Sequence, residues 1–148
     1  MASKFIQWNN KELLEDLDNP VVIAAFEGWN DAGEAATSAV KYFQDRFDAV
    51  KIGTIESEEF FDFTISRPVI EIPDEQREII WPATKIYVAK MFESKNDLVI
   101  IRGHEPQLRW RTFTDQIIEI ASTIESHMVV TLGSLLTDIP HSRPVKVF

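Results

Sequence analysis

The chain has 148 residues, of which 45% are hydrophobic and 26% charged, values typical of one globular domain rather than a disordered segment. Its net charge of −9 disfavours binding to nucleic acids and anionic membranes, and the absence of cysteine excludes disulfides, thiolate metal ligands and cysteine nucleophiles. No apolar run approaches the roughly 18 residues that a membrane span needs, and the acidic N-terminal segment does not resemble a signal peptide.

The first half of the chain predicts a strand, a helix and a second strand, after a short helix near residues 10–17. VVIAAF (21–26) is a continuous apolar run, as in a strand that is buried on both faces. Asp31 and Glu34 then have capping-box spacing at the start of a predicted helix, and AVKIGTIE (49–56) predicts the next strand. The apolar stripe of that helix comprises Ala32, Ala36, Ala39, Val40, Phe43 and Phe47.

The second half opens with a β-rich insert of three short predicted strands: RPVIEI (67–72), REIIWP (77–82) and TKIYVAKM (84–91). The alternation in the third strand favours a half-exposed strand or an antiparallel pair. DLVIIRG (97–103) and HMVVTLGSLL (127–136) then predict two buried strands, and PVKVF at the end is strand-like. The helix between the two buried strands has an apolar face of Phe113, Ile117, Ile120, Ala121 and Ile124.

Helices that alternate with apolar strands predict a single α/β domain over residues 1–148, with a largely parallel sheet between helices. Ligands of such sheets bind beyond the carboxyl ends of the strands. Three polar segments follow predicted strands and are therefore expected at that edge: EGWND (27–31), RGHEPQLRW (102–110) and GSLLTDIPHSRP (133–144).

The same segments carry a resemblance to a known family. FEGWNDAGEAA (26–36), RGHEPQLRW and TLGSLLTDIPHSRPV (131–145), in this order, resemble the proteasome assembly chaperone 2-like family, in particular its bacterial, actinobacterial-type members. The glutamate-rich ESEEFFDFTISRPVI (56–70) fits the same family. The resemblance covers most of residues 20–148 and implies a three-layer α/β/α fold, with a mostly parallel, mixed sheet similar to that of nucleoside phosphorylases.

The resemblance also implies homo-oligomers and, in eukaryotic and archaeal relatives, a role in chaperoning proteasome assembly. Relatives that dock on the proteasome α-ring end in a hydrophobic residue, a tyrosine and one further residue. This chain ends Lys146-Val147-Phe148, so that docking mode is not implied here. Bacterial members continue beyond the PHSRPV block, so we expect the sequence to be an N-terminal portion whose last strand lies at an unpaired edge.

The EGWND segment allows two interpretations. Glu27 and Asp31 could act as paired carboxylates for metal binding or acid–base chemistry. Alternatively, Asp31 caps the helix and Glu27 pairs with a nearby arginine. Trp29 and Asn30 are candidate binding residues, with Trp29 either stacking on a ligand or lying in a subunit interface. GWNDAG lacks the Lys-Ser/Thr pair of a phosphate-binding loop, so this type of nucleotide site is excluded.

The segment after the central strand offers a catalytic candidate, His104, and a binding candidate, Glu105. Arg109, also a catalytic candidate, and Arg111 follow closely, and a guanidinium binds phosphate and carboxylate groups equally well. The four side chains could bind and activate an anionic small molecule. They could instead form an ion-pair network that holds the loop and neutralises Glu27 and Asp31.

The segment after the last predicted strand adds two catalytic candidates, Asp138 and His141, and one binding candidate, Arg143. A serine–histidine–aspartate triad is disfavoured because the G-x-S-x-G pattern is absent. A metal site that joins Asp138 and His141 to Glu27 and His104 has no support from local spacing, and no metal or other cofactor is expected.

Two functions of different classes remain open at this point. The first is a non-catalytic, oligomerising assembly or binding protein of the cytoplasm, similar to proteasome assembly chaperones, with proteasome-related subunits as partners. The second is an enzyme, a hydrolase or transferase that acts on a small anionic or nucleoside-like ligand at the strand ends. The sequence contains no complete catalytic constellation, which favours the first.

Overall fold

The computed structural model describes residues 4–148. Within that range the chain forms eight β-strands and two α-helices, together with short 3-10 turns. No helix in this range is long and apolar enough to cross a membrane. In chain order the elements are β1 (Ile6–Trp8), β2 (Val21–Glu27), α1 (Ala35–Arg46), β3 (Val50–Ile55), β4 (Val69–Glu71), β5 (Glu78–Ile80), β6 (Thr84–Ala89), β7 (Leu98–His104), α2 (Trp110–Thr123) and β8 (Met128–Leu132).

The main sheet is mixed, as predicted, and has the strand order β1-β3-β6-β7-β2-β8, but only two of its five strand pairings are parallel, fewer than the largely parallel sheet that the sequence indicated. β2 pairs in parallel with β7 and with β8, whereas the pairs β1–β3, β3–β6 and β6–β7 are antiparallel. These pairings mean that β2, β3, β7 and β8 all run in one direction. Four strands therefore end at the same side of the sheet, which we call the carboxyl edge.

The two helices lie on opposite faces of the sheet, which confirms the predicted three-layer α/β/α fold. Side chains of β2 alternate between the two cores: Val22 and Ala24 pack with α2, and Val21 and Ala25 pack with α1. Burial of both faces explains why the strand is a continuous apolar run. Each fully buried large side chain contributes about 1.5–3 kcal/mol to folding.

The predicted β-rich insert is confirmed, but its strands divide between two sheets. β4 and β5 form a separate antiparallel hairpin whose residues Val69, Ile70 and Ile79 are exposed. β6 joins the main sheet between β3 and β7, antiparallel to both, and is almost entirely buried. Of the two alternatives that the sequence left open for this strand, the structure shows the antiparallel pair and not the half-exposed strand.

The predicted helix after β2 is confirmed, although it starts later than the sequence indicates. Residues 32–34 form a separate 3-10 turn, and α1 begins at Ala35. Glu34 has a left-handed backbone conformation, with φ 55°, and makes no capping hydrogen bond through its side chain. The predicted capping box is therefore wrong with respect to Glu34. The second predicted helix, α2, is also confirmed, and it buries Phe113 and Ile120.

β8 lies at the edge of the sheet, whereas the sequence predicted a buried strand over residues 127–136. It pairs only with β2, and Met128 and Val129 are 51% and 46% exposed. An apolar run does not distinguish a central strand from an edge strand, which explains the error. Residues 144–148 have no regular secondary structure, so the strand-like pattern of PVKVF is also misleading.

The N-terminal part of the described chain differs from the sequence prediction in two respects. β1 was not predicted, and it pairs with β3 at the opposite edge of the sheet from β8. The short helix expected near residues 10–17 is a 3-10 turn at Lys11–Leu14.

Candidate functional site

Four loops meet at the carboxyl edge, because β2, β3, β7 and β8 all end there. Three of them are the polar segments that the sequence analysis placed together. The fourth, residues 56–66, follows β3 and carries the glutamate-rich part of the sequence. Hydrogen bonds join each of these loops to a neighbouring one, so that the edge is a connected surface.

The loop after β2 is bound to the loop after β7 by Glu105. The backbone amide of Glu105 donates to the Glu27 carbonyl at 2.8 Å, and its carboxylate accepts from the backbone amide of Trp29 at 3.1 Å. Gly28 lies against that carboxylate with φ 152°, where a Cβ atom would clash with Glu105. The turn between strand and helix therefore requires glycine at this position.

The loop after β2 is also bound to the loop after β8. The backbone amide of Ser134 donates to the Asn30 carbonyl at 3.0 Å, and the amide of Ala32 donates to the Ser134 carbonyl at 3.1 Å. The Ser134 hydroxyl adds a bond to the Ala32 carbonyl at 3.0 Å. The Asn30 side chain packs on Gly133, where an added Cβ atom would displace it. Asn30, a predicted binding residue, thus holds two loops together.

Gln107 joins the loops after β3 and β7, and the sequence analysis missed it. Its side-chain oxygen accepts from the backbone amide of Asp62 at 3.1 Å, and its side-chain nitrogen donates to the Ser66 hydroxyl and the Glu105 carbonyl at 3.1 and 3.0 Å. Its own backbone amide donates to the Phe60 carbonyl at 2.9 Å. The direction of β3 could have indicated this role, because a strand parallel to β7 places residues 56–66 beside the loop that carries Gln107.

The 56–66 loop is anchored by an aromatic side chain and by a local turn. Phe60 is fully buried, with edge-to-face contacts to Phe5 and Phe113 at ring-centroid distances of 5.5 and 5.3 Å. Asp62 accepts hydrogen bonds from the hydroxyl and the backbone amide of Thr64 at 2.6 and 2.8 Å. These bonds stabilise the ionised carboxylate and hold the pKa of Asp62 below its usual value.

Asp31 is a helix cap, as one of its two sequence interpretations stated. It is 6% exposed, and one carboxylate oxygen accepts from the backbone amides of Ala36 and Thr37 at 2.8 and 3.2 Å. The other oxygen accepts from the Thr37 hydroxyl at 2.5 Å. Both oxygens are thus occupied by protein donors, and the side chain points away from Glu27 into the start of α1.

Glu27 and His104 form the one carboxylate–imidazole pair among the described residues. They are register partners at the ends of β2 and β7, and the His104 Nδ1 atom lies 3.2 Å from the Glu27 carboxylate. Both side chains are about 40% exposed, and the Phe61 ring packs edge-on against the imidazole at 6.3 Å. A carboxylate at Nδ1 fixes the ring orientation and leaves Nε2 available to a ligand.

The arginines of the site do not neutralise Glu27 or Asp31, so that part of the prediction is wrong. Arg109 forms an ion pair with Glu59 and lies over the Phe5 ring, with 5.1 Å between the guanidinium carbon and the ring centroid. Arg111 is exposed on the first turn of α2 and makes no hydrogen bond or ion pair with the described residues. Glu27 is instead paired with the His104 imidazole, and Asp31 accepts hydrogen bonds from the start of α1.

Asp138, His141 and Arg143 lie in the exposed segment after β8. Within residues 4–148 their side chains form no hydrogen bond or ion pair with Glu27, His104 or one another. No three His, Asp or Glu side chains of the described chain come together as metal ligands. The structure thus separates these three candidates from the Glu27–His104 pair.

The loops of the carboxyl edge also expose large apolar side chains. Trp29 is 83% exposed, and Leu135 and Leu136 are 67% and 90% exposed. Because Asn30 is hydrogen-bonded to Ser134, the tryptophan and the leucines flank the same backbone contact. Exposed apolar side chains concentrated in one place are typical of a protein-binding surface.

Comparison with known proteins identifies the family of the chain. The profile described as the PAC2 family matches residues 25–148, which include every segment of the carboxyl edge. The chain belongs to the PAC2 family. No curated protein gives a match.

Solved structures of PAC2 family proteins and their homologues share the fold. A PAC2 family protein from Streptomyces avermitilis is 40% identical, with a TM-score of 0.80 over 84% of this chain and 54% of its own. A proteasome-assembly chaperone homologue from Mycobacterium tuberculosis is 43% identical, with a TM-score of 0.79 over 84% and 53%. A protein of unknown function from Corynebacterium glutamicum is 25% identical, with a TM-score of 0.75 over 86% and 48%. This chain spans about half the length of each.

Proposed function

We propose that this PAC2 domain is a non-catalytic, chaperone-like assembly module of the cytoplasm, which forms homo-oligomers and binds proteasome-related subunits. Family membership and the similarity to a proteasome-assembly chaperone homologue support the role. The observation that carries it in this molecule is the exposed apolar cluster of Trp29, Leu135 and Leu136 at the carboxyl edge. Aromatic side chains of this kind are enriched at the centres of protein interfaces.

The backbone around the cluster is held in place before any partner binds. Trp29 is fixed by the Glu105 carboxylate, and Leu135 follows Ser134, which is hydrogen-bonded to the loop after β2. A preformed surface avoids the entropic cost of ordering a loop on binding. The free chain is therefore suited to bind a partner without rearrangement.

The experiment is mass photometry of the purified chain, alone and mixed with proteasome α-type subunits. We expect a discrete homo-oligomer whose mass increases when α-subunits are added. Trp29→Ser should abolish or weaken the increase at least tenfold, because a buried interface tryptophan contributes about 2 kcal/mol or more. Phe92→Ser is the matched control, since Phe92 is 98% exposed and lies in the loop after β6, away from the carboxyl edge.

Two results would contradict the proposal. One is an unchanged mass with α-subunits at concentrations where the wild-type chain is folded. The other is an equal effect of Trp29→Ser and Phe92→Ser, which would indicate non-specific apolar association rather than a defined surface.

The Glu27–His104 pair favours a second candidate function, an enzyme acting on a small anionic or nucleoside-like ligand. An imidazole oriented by a carboxylate is a common general base, and the His104 side chain is 38% exposed. A hydrolase or transferase of this type requires His104 for turnover. His104→Gln should then abolish any phosphate-releasing or acyl-transfer activity that the wild-type chain shows, while leaving the oligomeric mass unchanged.

A further inference from the structure

A row of polar side chains crosses the sheet on the face that carries α1, and none of the candidate site residues belongs to it. Register partners place Thr54 of β3 beside Lys85 of β6, and Lys85 beside Arg102 of β7. Tyr87 and Ile100 stand two residues further along the same face and pack in the core under α1. The row therefore lies on the α1 side, next to an apolar floor.

The two cations of the row are direct neighbours without a carboxylate. Lys85 and Arg102 are cross-strand partners, and like charges at such positions destabilise a sheet. Both residues are half-buried, and neither makes a hydrogen bond or an ion pair with the described residues. Half-burial removes part of the hydration of both cations, and no bond within the described chain offsets this desolvation free energy.

Acidic residues are abundant in this chain, but the two that lie at the ends of β2 and β3 have other partners. There are 24 acidic residues against 15 basic ones. Glu27 binds His104, and Glu56 accepts a hydrogen bond from the side chain of Gln7, the next residue along the row beyond Thr54. No carboxylate of the described chain is bonded to either cation, so both charges are available to an anion from solution.

The row is covered by protein at one end and accessible to solvent at the other. Ala25, the partner of Arg102 on β2, is fully buried beneath α1, so the helix bounds the row at that end. The other end is accessible to solvent, because Thr54 is half-exposed and its partner on β1, Gln7, is exposed. Neighbouring strands are about 4.8 Å apart, so the three side chains start within about 10 Å of one another.

We propose that Thr54, Lys85 and Arg102 form a binding site for a phosphate group. A guanidinium, an ammonium and a hydroxyl together provide hydrogen-bond donors and two positive charges, which match a tetrahedral dianion. The apolar floor strengthens these charged contacts by lowering the local dielectric constant. The site is independent of the proposed assembly role, which depends on the carboxyl edge.

The test is isothermal titration calorimetry of inorganic phosphate into the full chain, with thermal unfolding in phosphate and in chloride at equal ionic strength. We expect saturable binding and a rise in melting temperature from chloride to phosphate that is larger in the wild type than in Arg102→Gln, because a ligand of the folded state stabilises it whereas exclusion of phosphate from the surface raises both melting temperatures equally. Lys85→Gln and Arg102→Gln should each weaken binding at least tenfold. Lys95→Gln is the charge-matched control, since Lys95 is exposed and remote from the row.

The apoprotein provides a second readout that separates loss of the site from misfolding. In chloride, Lys85→Gln and Arg102→Gln should melt at the wild-type temperature or above it, since each removes one of two repelling charges. A melting temperature several degrees below wild type in both would show that the cations are already satisfied, which overturns the proposal. Phosphate binding that survives the double variant, or stabilisation that chloride reproduces, overturns it as well.

A parallel titration with ribose 5-phosphate distinguishes the two sources of a phosphate group. Tighter binding of the sugar phosphate than of inorganic phosphate assigns the site to an organic phosphate, whereas equal or weaker binding assigns it to the free anion. The results of both titrations are independent of the outcome of the assembly experiment with Trp29→Ser.

Discussion

The contribution of Asp31 to the stability of the carboxyl edge can be measured by substitution. The change is Asp31→Ala, which removes an acceptor for three hydrogen bonds from a side chain that is 6% exposed. Losing the cap on the amides of Ala36 and Thr37 costs about 1–2 kcal/mol. Leaving the buried Thr37 hydroxyl unpaired costs about 1–2 kcal/mol more. The free energy of unfolding should therefore fall by about 3 kcal/mol.

The assay is urea denaturation followed by far-ultraviolet circular dichroism, together with thermal unfolding. For a chain of this size, 3 kcal/mol lowers the melting temperature by about 9 °C. Asp31→Asn keeps an oxygen for the backbone amides and should lose only about 1 kcal/mol. Glu34→Ala is the matched control, because Glu34 is exposed and makes no capping bond, and it should change stability by less than about 0.5 kcal/mol.

Two results would refute this reasoning. A loss below about 1 kcal/mol for Asp31→Ala would mean that water replaces the carboxylate at the start of α1. An equal loss for Glu34→Ala would mean that the helix is capped by the capping box that the sequence pattern indicated, and not by Asp31 alone.

Two further predictions concern the core and its acid sensitivity. Gly103→Ala should lower the free energy of unfolding in urea by about 3 kcal/mol or more, because the added Cβ atom would lie 2.5 Å from the Thr84 hydroxyl and 2.9 Å from a carbonyl oxygen. Gly33→Ala is the control: its Cβ atom would meet no atom within 4 Å, and the positive φ should lower the free energy of unfolding by only about 1 kcal/mol. Burial raises the pKa of Asp97, but bonds from two backbone amides and from Lys90 outweigh it and hold that pKa below its usual value. The stabilisation is complete above about pH 4 and is lost as pH falls through the folded-state pKa, so Asp97→Asn should cost about 2 kcal/mol at pH 7 and progressively less in unfolding measured at acid pH.

The sequence predicted the fold well where burial controls the residue pattern. β2 and β7 are buried on both faces, and their continuous apolar runs were interpreted correctly. β8 has a similar run but pairs on one side only, and a local pattern contains no information about the number of neighbouring strands.

The site was predicted in outline because strand direction alone brings loops together. Glu27, His104 and Glu105 lie where the strand ends were expected, but their partners depend on side-chain reach, which spacing does not determine. Gln107 escaped notice because an uncharged side chain in a loop has no distinctive chemistry until the neighbouring loop is in place.

The order of strands in the sheet has a consequence for how the chain folds as it is synthesised. β2 is the second strand to be made, yet both of its neighbours come much later: Val21 aligns with Leu98 on one side and with Met128 on the other. At about 5–20 residues per second, a ribosome needs roughly 4–16 s to make the eighty or so residues that separate β2 from its first partner. Throughout that interval VVIAAF has both edges unpaired, and contacts so distant in sequence make folding slow. The nascent chain should therefore need protection by a general chaperone during synthesis, whatever partner the finished domain binds.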